Sequence, residues 1–189
     1  MTPTRLNALT DGVVAIVLTI MVLELKFPAR PTLGAALAVL PMLAAYLLSF
    51  VNIAIYWNNH HHLMHSARKV TGGVLWANHA LLFWLTLIPL VIRWIDEAGI
   101  TAWPVAAFGL VLICCATSYQ ILERALIRAE GDESAVKHAL GGGAKEWISV
   151  AFYVVALPGA FLSPYLAIAC YVAVSIIWLI PDRRFERAA

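Results

Sequence analysis

An acidic residue, Asp11, interrupts the start of the first apolar stretch of this sequence. An ionisable side chain inside an apolar helix is costly unless it is paired, so its presence indicates a functional or structural polar site. The residues that follow, GVVAIVLTIMVL from Gly12 to Leu23, are wholly uncharged over about 18 Å of helical rise. The first apolar stretch therefore carries a carboxylate near its start, and a long apolar segment follows it.

Hydrogen-bond partners for this carboxylate occur at the ends of the next two apolar stretches. The second stretch ends in YWNNHHHLMH and the third begins in LWANHALLFW, which supply indole, amide and imidazole groups. If the chain alternates across a membrane, these groups reach the same surface as Asp11, and we expect a buried hydrogen-bond network that must be satisfied to be stable. The candidates are Arg5, Asp11, Trp57, Asn58, Asn59, His60, His61, His62, His65, Trp76, Asn78 and His79.

The histidines also permit other chemistry. His61 and His65 have the i,i+4 spacing that can chelate zinc on a helix, but no acidic residue adjoins them as in a metalloprotease helix. Interfacial hydrogen bonding and pH sensing are the alternatives. There is no Gly-x-Ser-x-Gly, no cysteine paired with a nearby histidine and no carboxylate pair in a span. The sequence predicts no enzyme, no catalytic residue, no cofactor and no metal site.

The elements that position these residues are predicted to be membrane helices. Apolar residues make up 62% of the 189 residues and charged residues 13%, and the mean hydropathy is +0.82. A soluble domain is about half apolar and about a quarter charged, so a soluble enzyme, a disordered chain and a disulfide scaffold are excluded. The net charge of +2 argues against a nucleic-acid partner. Cys114, Cys115 and Cys170 lie in apolar runs, which is typical of buried free thiols.

Six apolar stretches predict an all-α, polytopic membrane protein with a single six-helix domain over residues 1–189. We expect a tight turn at Ser163-Pro164 and tolerated kinks at Pro41, Pro89 and Pro158. No small-residue cleavage site follows the first stretch, so it is predicted to remain as a helix. The stretches cover about 5–26, 34–57, 72–93, 101–122, 146–163 and 165–181.

The distribution of lysine and arginine predicts the orientation. With the N-terminus inside, ten of the 13 basic residues face inward, and Lys26, Arg30 and Arg93 face outward. The positive-inside rule therefore predicts cytoplasmic N- and C-termini in a plasma or inner membrane. The longest polar connection, Glu123 to Lys145, is then cytoplasmic and is predicted to contain a helical extension, an amphipathic piece and a joint at Gly141–Gly143. The inward-facing residues are Arg5, Arg68, Lys69, Arg124, Arg128, Lys137, Lys145, Arg183, Arg184 and Arg187.

Helical geometry separates two faces of the first helix. At 100° per residue, Ile16, Ile20 and Leu23 share one stripe, and Thr19 lies beside it. Asp11 lies about 140° around the helix from Ile16. If the stripe faces a central axis, Asp11 faces neighbouring helices that can supply donors.

The same residues resemble a known family. The sequence Arg5-x-x-x-Leu9-Thr10-Asp11, continued by an apolar run that ends in Leu23-Glu24-Leu25, resembles the first helix of bacterial homologues of the lysosomal potassium channel of the transmembrane protein 175 type. Tyr56-Trp57-x-Asn59-His60-His61, Trp76-x-Asn78 and Pro89 also match family positions, so the resemblance covers about the first 90 residues. Leu9 and Thr10 replace the Phe and Ser of the family motif. Thr10 keeps a hydroxyl, whereas Leu9 loses aromatic packing.

The resemblance implies a homotetramer whose first helices line a central pore for passive potassium permeation. Ile16 would form the narrowest ring, Ile20 and Leu23 would lie further out, and Thr19 would be a polar neighbour that influences selectivity. Arg5, Thr10 and Asp11 would join the network of Trp57, Asn59, His60, His61, Trp76 and Asn78 that holds the first helix in place. Membrane lipid, potassium and other copies of the chain are the implied partners.

Two other classes of function remain open at this point. One is a proton- or metal-coupled carrier that uses Asp11 and the His60–His65 cluster as ligands, and the other is an intramembrane metalloenzyme that uses the same histidines. A carrier path should have a polar ligand near the middle of the membrane, and Thr19 is the one weak candidate on the first helix. The uninterrupted apolar run after Asp11 therefore favours the channel.

Overall fold

The computed structural model describes residues 2–26, 28–29, 31–131, 134 and 144–179. The regular structure of these residues consists of eight helical segments that connect into six helices. The segments are α1 (Pro3–Leu23), α2 (Leu33–Ala38), α3 (Leu40–Ser66), α4 (Gly72–Thr86), α5 (Ile88–Ala98), α6 (Ala102–Glu130), α7 (Ala144–Leu162) and α8 (Pro164–Leu179). The predicted all-α fold with six helices is confirmed.

Two of the six helices are interrupted next to a proline. Helix α2 meets α3 at Val39, before Pro41, and α4 meets α5 at Leu87, before Pro89. Proline lacks the backbone N–H that continues a helix and crowds the preceding turn, which accounts for the interruption at each position. Pro158 lies inside α7 without dividing it.

Four helices of the described residues are long and apolar enough to cross a membrane: Pro3–Leu23, Leu33–Ser66, Gly72–Ala98 and Ala102–Glu130. Trp147–Leu162 and Pro164–Leu179 form shorter apolar helices. Ser163 separates the last two, and its N–H donates to Gly159 O at 2.8 Å, which forms the predicted turn.

Several helices continue beyond their predicted apolar stretches. The second helix extends through the histidines to Ser66, the third to Ala98 and the fourth to Glu130. Hydropathy falls at these polar residues, but the backbone hydrogen bonds of the helix continue, so the helices are longer than the apolar stretches that mark them. The extension to Glu130 confirms the helical start of the long connection. Arg30, residues 135–143 (with Lys137 and Gly141–Gly143) and residues 180–189 (with Arg183, Arg184 and Arg187) lie outside the described residues.

Helix α6 forms the centre of the bundle, because it contacts α4, α5, α7 and α8. Leu112, Cys115 and Leu122 on this helix are fully buried. Cys115 and Cys170 are buried free thiols as predicted, and Cys114 is partly buried.

Helix α1 lies beside the bundle and contacts α3, α4 and α5. One face of α1 is buried against these neighbours, with a spacing of three to four residues that follows the helical period. The buried residues are Leu6, Thr10, Val14, Val17 and Met21. An adjoining face carries the exposed stripe of Ile16, Ile20 and Leu23, of which Ile16 and Ile20 line an open cleft with residues of α4 and α5.

Candidate pore-lining helix and its polar anchor

A buried hydrogen-bonded cluster joins α1, α3 and α4. His60 Nε2 donates to Asn78 Oδ1 at 2.8 Å, and Asn78 Nδ2 donates to Thr10 Oγ1 at 3.2 Å. The Thr10 hydroxyl lies 3.4 Å from His60 Nε2 and donates to Leu6 O at 3.2 Å. At most 1% of each of the three side chains is exposed. The cluster therefore links three helices through buried polar groups.

Asp11 extends this cluster toward the surface. The Trp57 indole N–H donates to Asp11 Oδ1 at 2.8 Å, and Asn7 Nδ2 donates to Oδ2 at 3.4 Å. Trp57 comes from α3, so the carboxylate forms a second connection between α1 and α3. Asn7 was not predicted as a partner of Asp11, although its position four residues earlier on the same helix could have indicated it.

The remaining predicted members of the network lie elsewhere. Arg5 is exposed, Trp76 is 78% exposed against the His79 ring, and Asn59 lines a cavity on another side of α3. The His61 ring lies among the rings of Trp57, His62 and His65. Each residue turns a helix by 100°, so the neighbours of His60 in sequence cannot share its face. The structure thus brings together Thr10, His60 and Asn78, and Asp11 with Trp57, but not the full set.

The exposed face of α1 is apolar and uncharged. Ile16 is 59% exposed, Ile20 43% and Leu23 80%, whereas Val14 and Val17 on the buried face are at most 5% exposed. The Thr19 hydroxyl donates to Ile16 O at 2.8 Å, so it is occupied by its own helix. The stripe predicted from helical geometry is therefore exposed, and Ile16 and Ile20 border an open cleft between α1 and the residues Thr86, Pro89 and Leu90.

Charged residues connect the C-terminal end of α1 to α5. Arg93 Nε lies 2.9 Å from Glu97 Oε1 and 3.8 Å from Glu24 Oε2, and Lys26 Nζ lies 3.7 Å from Glu97 Oε1. These ion pairs were not predicted, because Glu24 and Arg93 are far apart in sequence. They connect the C-terminal end of α1, which is far from the polar cluster, to α5.

The histidines were also a candidate metal site. The rings of His61 and His65 are stacked, with centroids 6.4 Å apart. Among the described residues, no group of three or more His, Cys, Asp or Glu side chains is arranged to hold a metal ion.

Six helices, four of them long and apolar enough to cross a membrane, define a polytopic helical membrane protein. The family model described as endosomal/lysosomal potassium channel TMEM175 matches residues 5–89. A relative named potassium channel from Chryseobacterium sp. (strain P1-3) is 48% identical over 188 residues, which cover 100% of this chain and 98% of the relative. The chain belongs to the TMEM175 potassium channel family.

Further comparisons agree with this family. A relative named potassium channel from Chamaesiphon minutus is 28% identical and is matched over 89% of both chains. The crystal structure of a lysosomal potassium-selective channel TMEM175 homologue from Chamaesiphon minutus has a TM-score of 0.78 and 23% identity, and the match covers 95% of this chain and 97% of that one. The fold described above is therefore that of a solved TMEM175 homologue.

Proposed function

We propose that this chain forms a homotetrameric, potassium-selective, leak-type channel whose four α1 helices line the central path. The observation that carries the proposal is the exposed, uncharged stripe of Ile16, Ile20 and Leu23, which lies beside the packed face of α1. The potassium-channel names of the relatives support the choice of ion. We take residues 1–189 as a single channel domain.

In this mechanism, four Ile16 side chains form the narrowest ring, and Ile20 and Leu23 continue the apolar lining. An apolar constriction gates by dewetting and disfavours ions that hold their water shells tightly. Sodium loses water less readily than potassium, so the ring prefers potassium without coordinating it. Because the Thr19 hydroxyl bonds to its own backbone, it tunes polarity beside the ring rather than replacing the water of the ion.

Thr10, His60 and Asn78, together with Asp11 and Trp57, form a polar anchor that keeps the stripe in register. Thr10 and Asp11 are held by His60, Asn78 and Trp57 on the two adjacent helices. Rotation of α1 by one residue would move the stripe by 100° and would break these hydrogen bonds. The proposed role of the network is therefore structural. Potassium is proposed as the permeating ion and not as a bound cofactor.

The basic residues support an orientation with cytoplasmic termini in the plasma or inner membrane. Arg5, Arg68 and Lys69 are exposed at one end of the bundle. Labelling of Arg5→Cys with an impermeant thiol reagent, in intact and in permeabilised cells, tests this orientation. We expect protection from an impermeant reagent added outside; modification from outside would contradict it.

Single-channel recording of purified protein in planar bilayers tests conduction. We expect ohmic currents that reverse nearer the potassium than the sodium equilibrium potential. The alternative carrier would give saturable flux without unitary currents and would lose transport in Asp11→Asn. The Asp11 carboxylate accepts hydrogen bonds from Trp57 and Asn7 and has no place in the proposed conduction path. We therefore expect Asp11→Asn to retain unitary currents. Asp96→Asn on α5 is the matched control.

A further inference from the structure

One line of exposed side chains follows helix α6 along its whole length. At 100° per residue, its members fall within about 60° of the helix circumference. The other sides of α6 are covered, because α4, α5, α7 and α8 pack against it. The line therefore forms a narrow outward face of the subunit. From the N-terminal end of α6 it consists of Trp103, Leu110, Thr117, Ile121, Arg124 and Arg128, with the partly buried Cys114 beside it.

The length of this line matches the thickness of a membrane. The rise from Trp103 to Arg124 is about 31 Å at about 1.5 Å per residue, and the hydrocarbon core of a bilayer is about 30 Å thick. Trp103, 69% exposed, then lies at one interface, as in the tryptophan belts of membrane proteins. Arg124 and Arg128 lie at the headgroups of the other leaflet. The connection between α3 and α4, which the basic residues predict to be cytoplasmic, is at the same end, because the Arg68 N–H donates to Glu130 Oε1 at 2.6 Å.

Two positive charges lie close together at this end of the line. Arg124 and Arg128 are about one helical turn apart, and like charges at this spacing destabilise a helix. No ion pair between described residues includes either arginine. Glu123 is buried on another side of α6, and both carboxylate oxygens of Glu130 accept hydrogen bonds from other groups. An anion between the two guanidinium groups removes their repulsion, and a planar guanidinium matches the geometry of phosphate oxygens.

We propose that this end of α6 is a binding site for an anionic phospholipid of the inner leaflet. The phosphate lies between Arg124 and Arg128, and an acyl chain lies along Ile121, Thr117 and Leu110. A zwitterionic lipid brings its own cation toward the two arginines, and a soluble phosphate makes no use of the apolar line. The charge and the apolar surface together therefore favour an anionic lipid. The site is on α6, whereas the proposed conduction path is on α1, so the inference does not depend on conduction.

Three ligands with related headgroups test this chemistry. Dioleoyl phosphatidylglycerol is anionic, dioleoyl phosphatidylcholine has the same chains but is zwitterionic, and glycerol 1-phosphate is a soluble anion. Each is titrated into the full-length protein in a neutral detergent, and the affinity is obtained from the rise of the unfolding midpoint with ligand concentration. We expect phosphatidylglycerol to bind at least about fivefold more tightly than phosphatidylcholine, and glycerol 1-phosphate to give no rise at the same concentrations. Equal affinities of the two lipids, or equal stabilisation by glycerol 1-phosphate and phosphatidylglycerol, would overturn the proposal.

Two double variants locate the site. Arg124→Gln/Arg128→Gln is expected to lose the preference for phosphatidylglycerol. Arg5→Gln/Lys69→Gln removes the same charge from exposed positions outside α6 and is expected to keep the full preference. An equal loss in the two variants would show only a general attraction to anionic micelles and would contradict a site on α6.

The stability of the same variants without lipid separates a lipid site from a structural role. Since Arg124→Gln/Arg128→Gln removes a repulsion, its unfolding midpoint in lipid-free detergent is expected to equal or exceed that of the wild type. A lower midpoint would mean that the arginines bind other parts of the protein, and the assignment of a lipid site would be wrong.

Discussion

At the scale of single residues, the anchor of α1 depends on three side chains that form hydrogen bonds with one another. Thr10, His60 and Asn78 come from three helices and are almost entirely removed from solvent. Asn78 is the central member, because its amide accepts from His60 and donates to Thr10. A buried polar group that loses its partner costs more than the hydrogen bond itself contributes.

We therefore expect Asn78→Ala to destabilise the subunit by ~1–3 kcal/mol, since it leaves His60 and Thr10 buried without this partner. The measurement is equilibrium unfolding in detergent. His79→Ala, the next residue on α4 and an exposed one, is the control and is expected to change stability by under about 0.5 kcal/mol. Equal effects of the two substitutions would show that the cluster does not stabilise the fold.

The sequence predicts the polar residue types of the anchor, but not which of these residues contact one another. Family motifs indicated Thr10, His60 and Asn78, and all three meet. Asn59 and His61 carry equally suitable groups, yet they face other directions, because the rotation of α3 depends on packing against several helices at once. The cavity beside Asn59 is formed by four helices and had no signal in the sequence.

At the scale of elements, the two faces of α1 were predictable because helical period and hydropathy are local properties. Helix ends were less predictable, because polar turns continue a helix after the apolar run has ended. The packing of α6 on α8 also depends on a contact between distant residues. The Tyr171 hydroxyl donates to Val105 O at 3.2 Å and lies directly over Gly109, where a Cβ atom would overlap it.

Gly109→Ala is expected to destabilise the protein by about 1–3 kcal/mol, because the new methyl group must displace the Tyr171 ring or separate α6 from α8. Gly159→Ala is the control, since its methyl group would meet Leu166 at an ordinary distance of 3.6 Å. In a helix interior this control change is favourable by roughly 0.5–1 kcal/mol. The thermal midpoints of the two variants in detergent measure the difference. A Gly109→Ala midpoint at or above that of the wild type would contradict the packing described here.

At the scale of the whole molecule, the role proposed for the exposed apolar face of α1 differs from that of other exposed apolar surface. Many outward side chains of a membrane protein contact lipid. Helix α1 is attached to its neighbours by the polar anchor at one end and by the ion pair of Glu24 with Arg93 at the other. A fixed direction of the stripe is what the proposed central path requires.

The proposed assembly gives a direct expectation for mass. One chain has a mass of 20.7 kDa, and we expect the detergent-solubilised protein to have about four times that mass. Light scattering corrected for bound detergent measures it. A monomeric particle that still conducts potassium would contradict the central path.

The most direct test of the central claim is the reversal potential of Ile16→Asn under opposing potassium and sodium gradients in planar bilayers. Ile176→Asn on α8 is the matched control, because Ile176 is 55% exposed and Ile16 59%. An amide at the constriction holds water and lowers the dehydration barrier for sodium. We predict that Ile16→Asn shifts the reversal potential toward sodium and that Ile176→Asn leaves it unchanged. A reversal potential of Ile16→Asn equal to that of the wild type would contradict the assignment of the α1 stripe as the selectivity constriction.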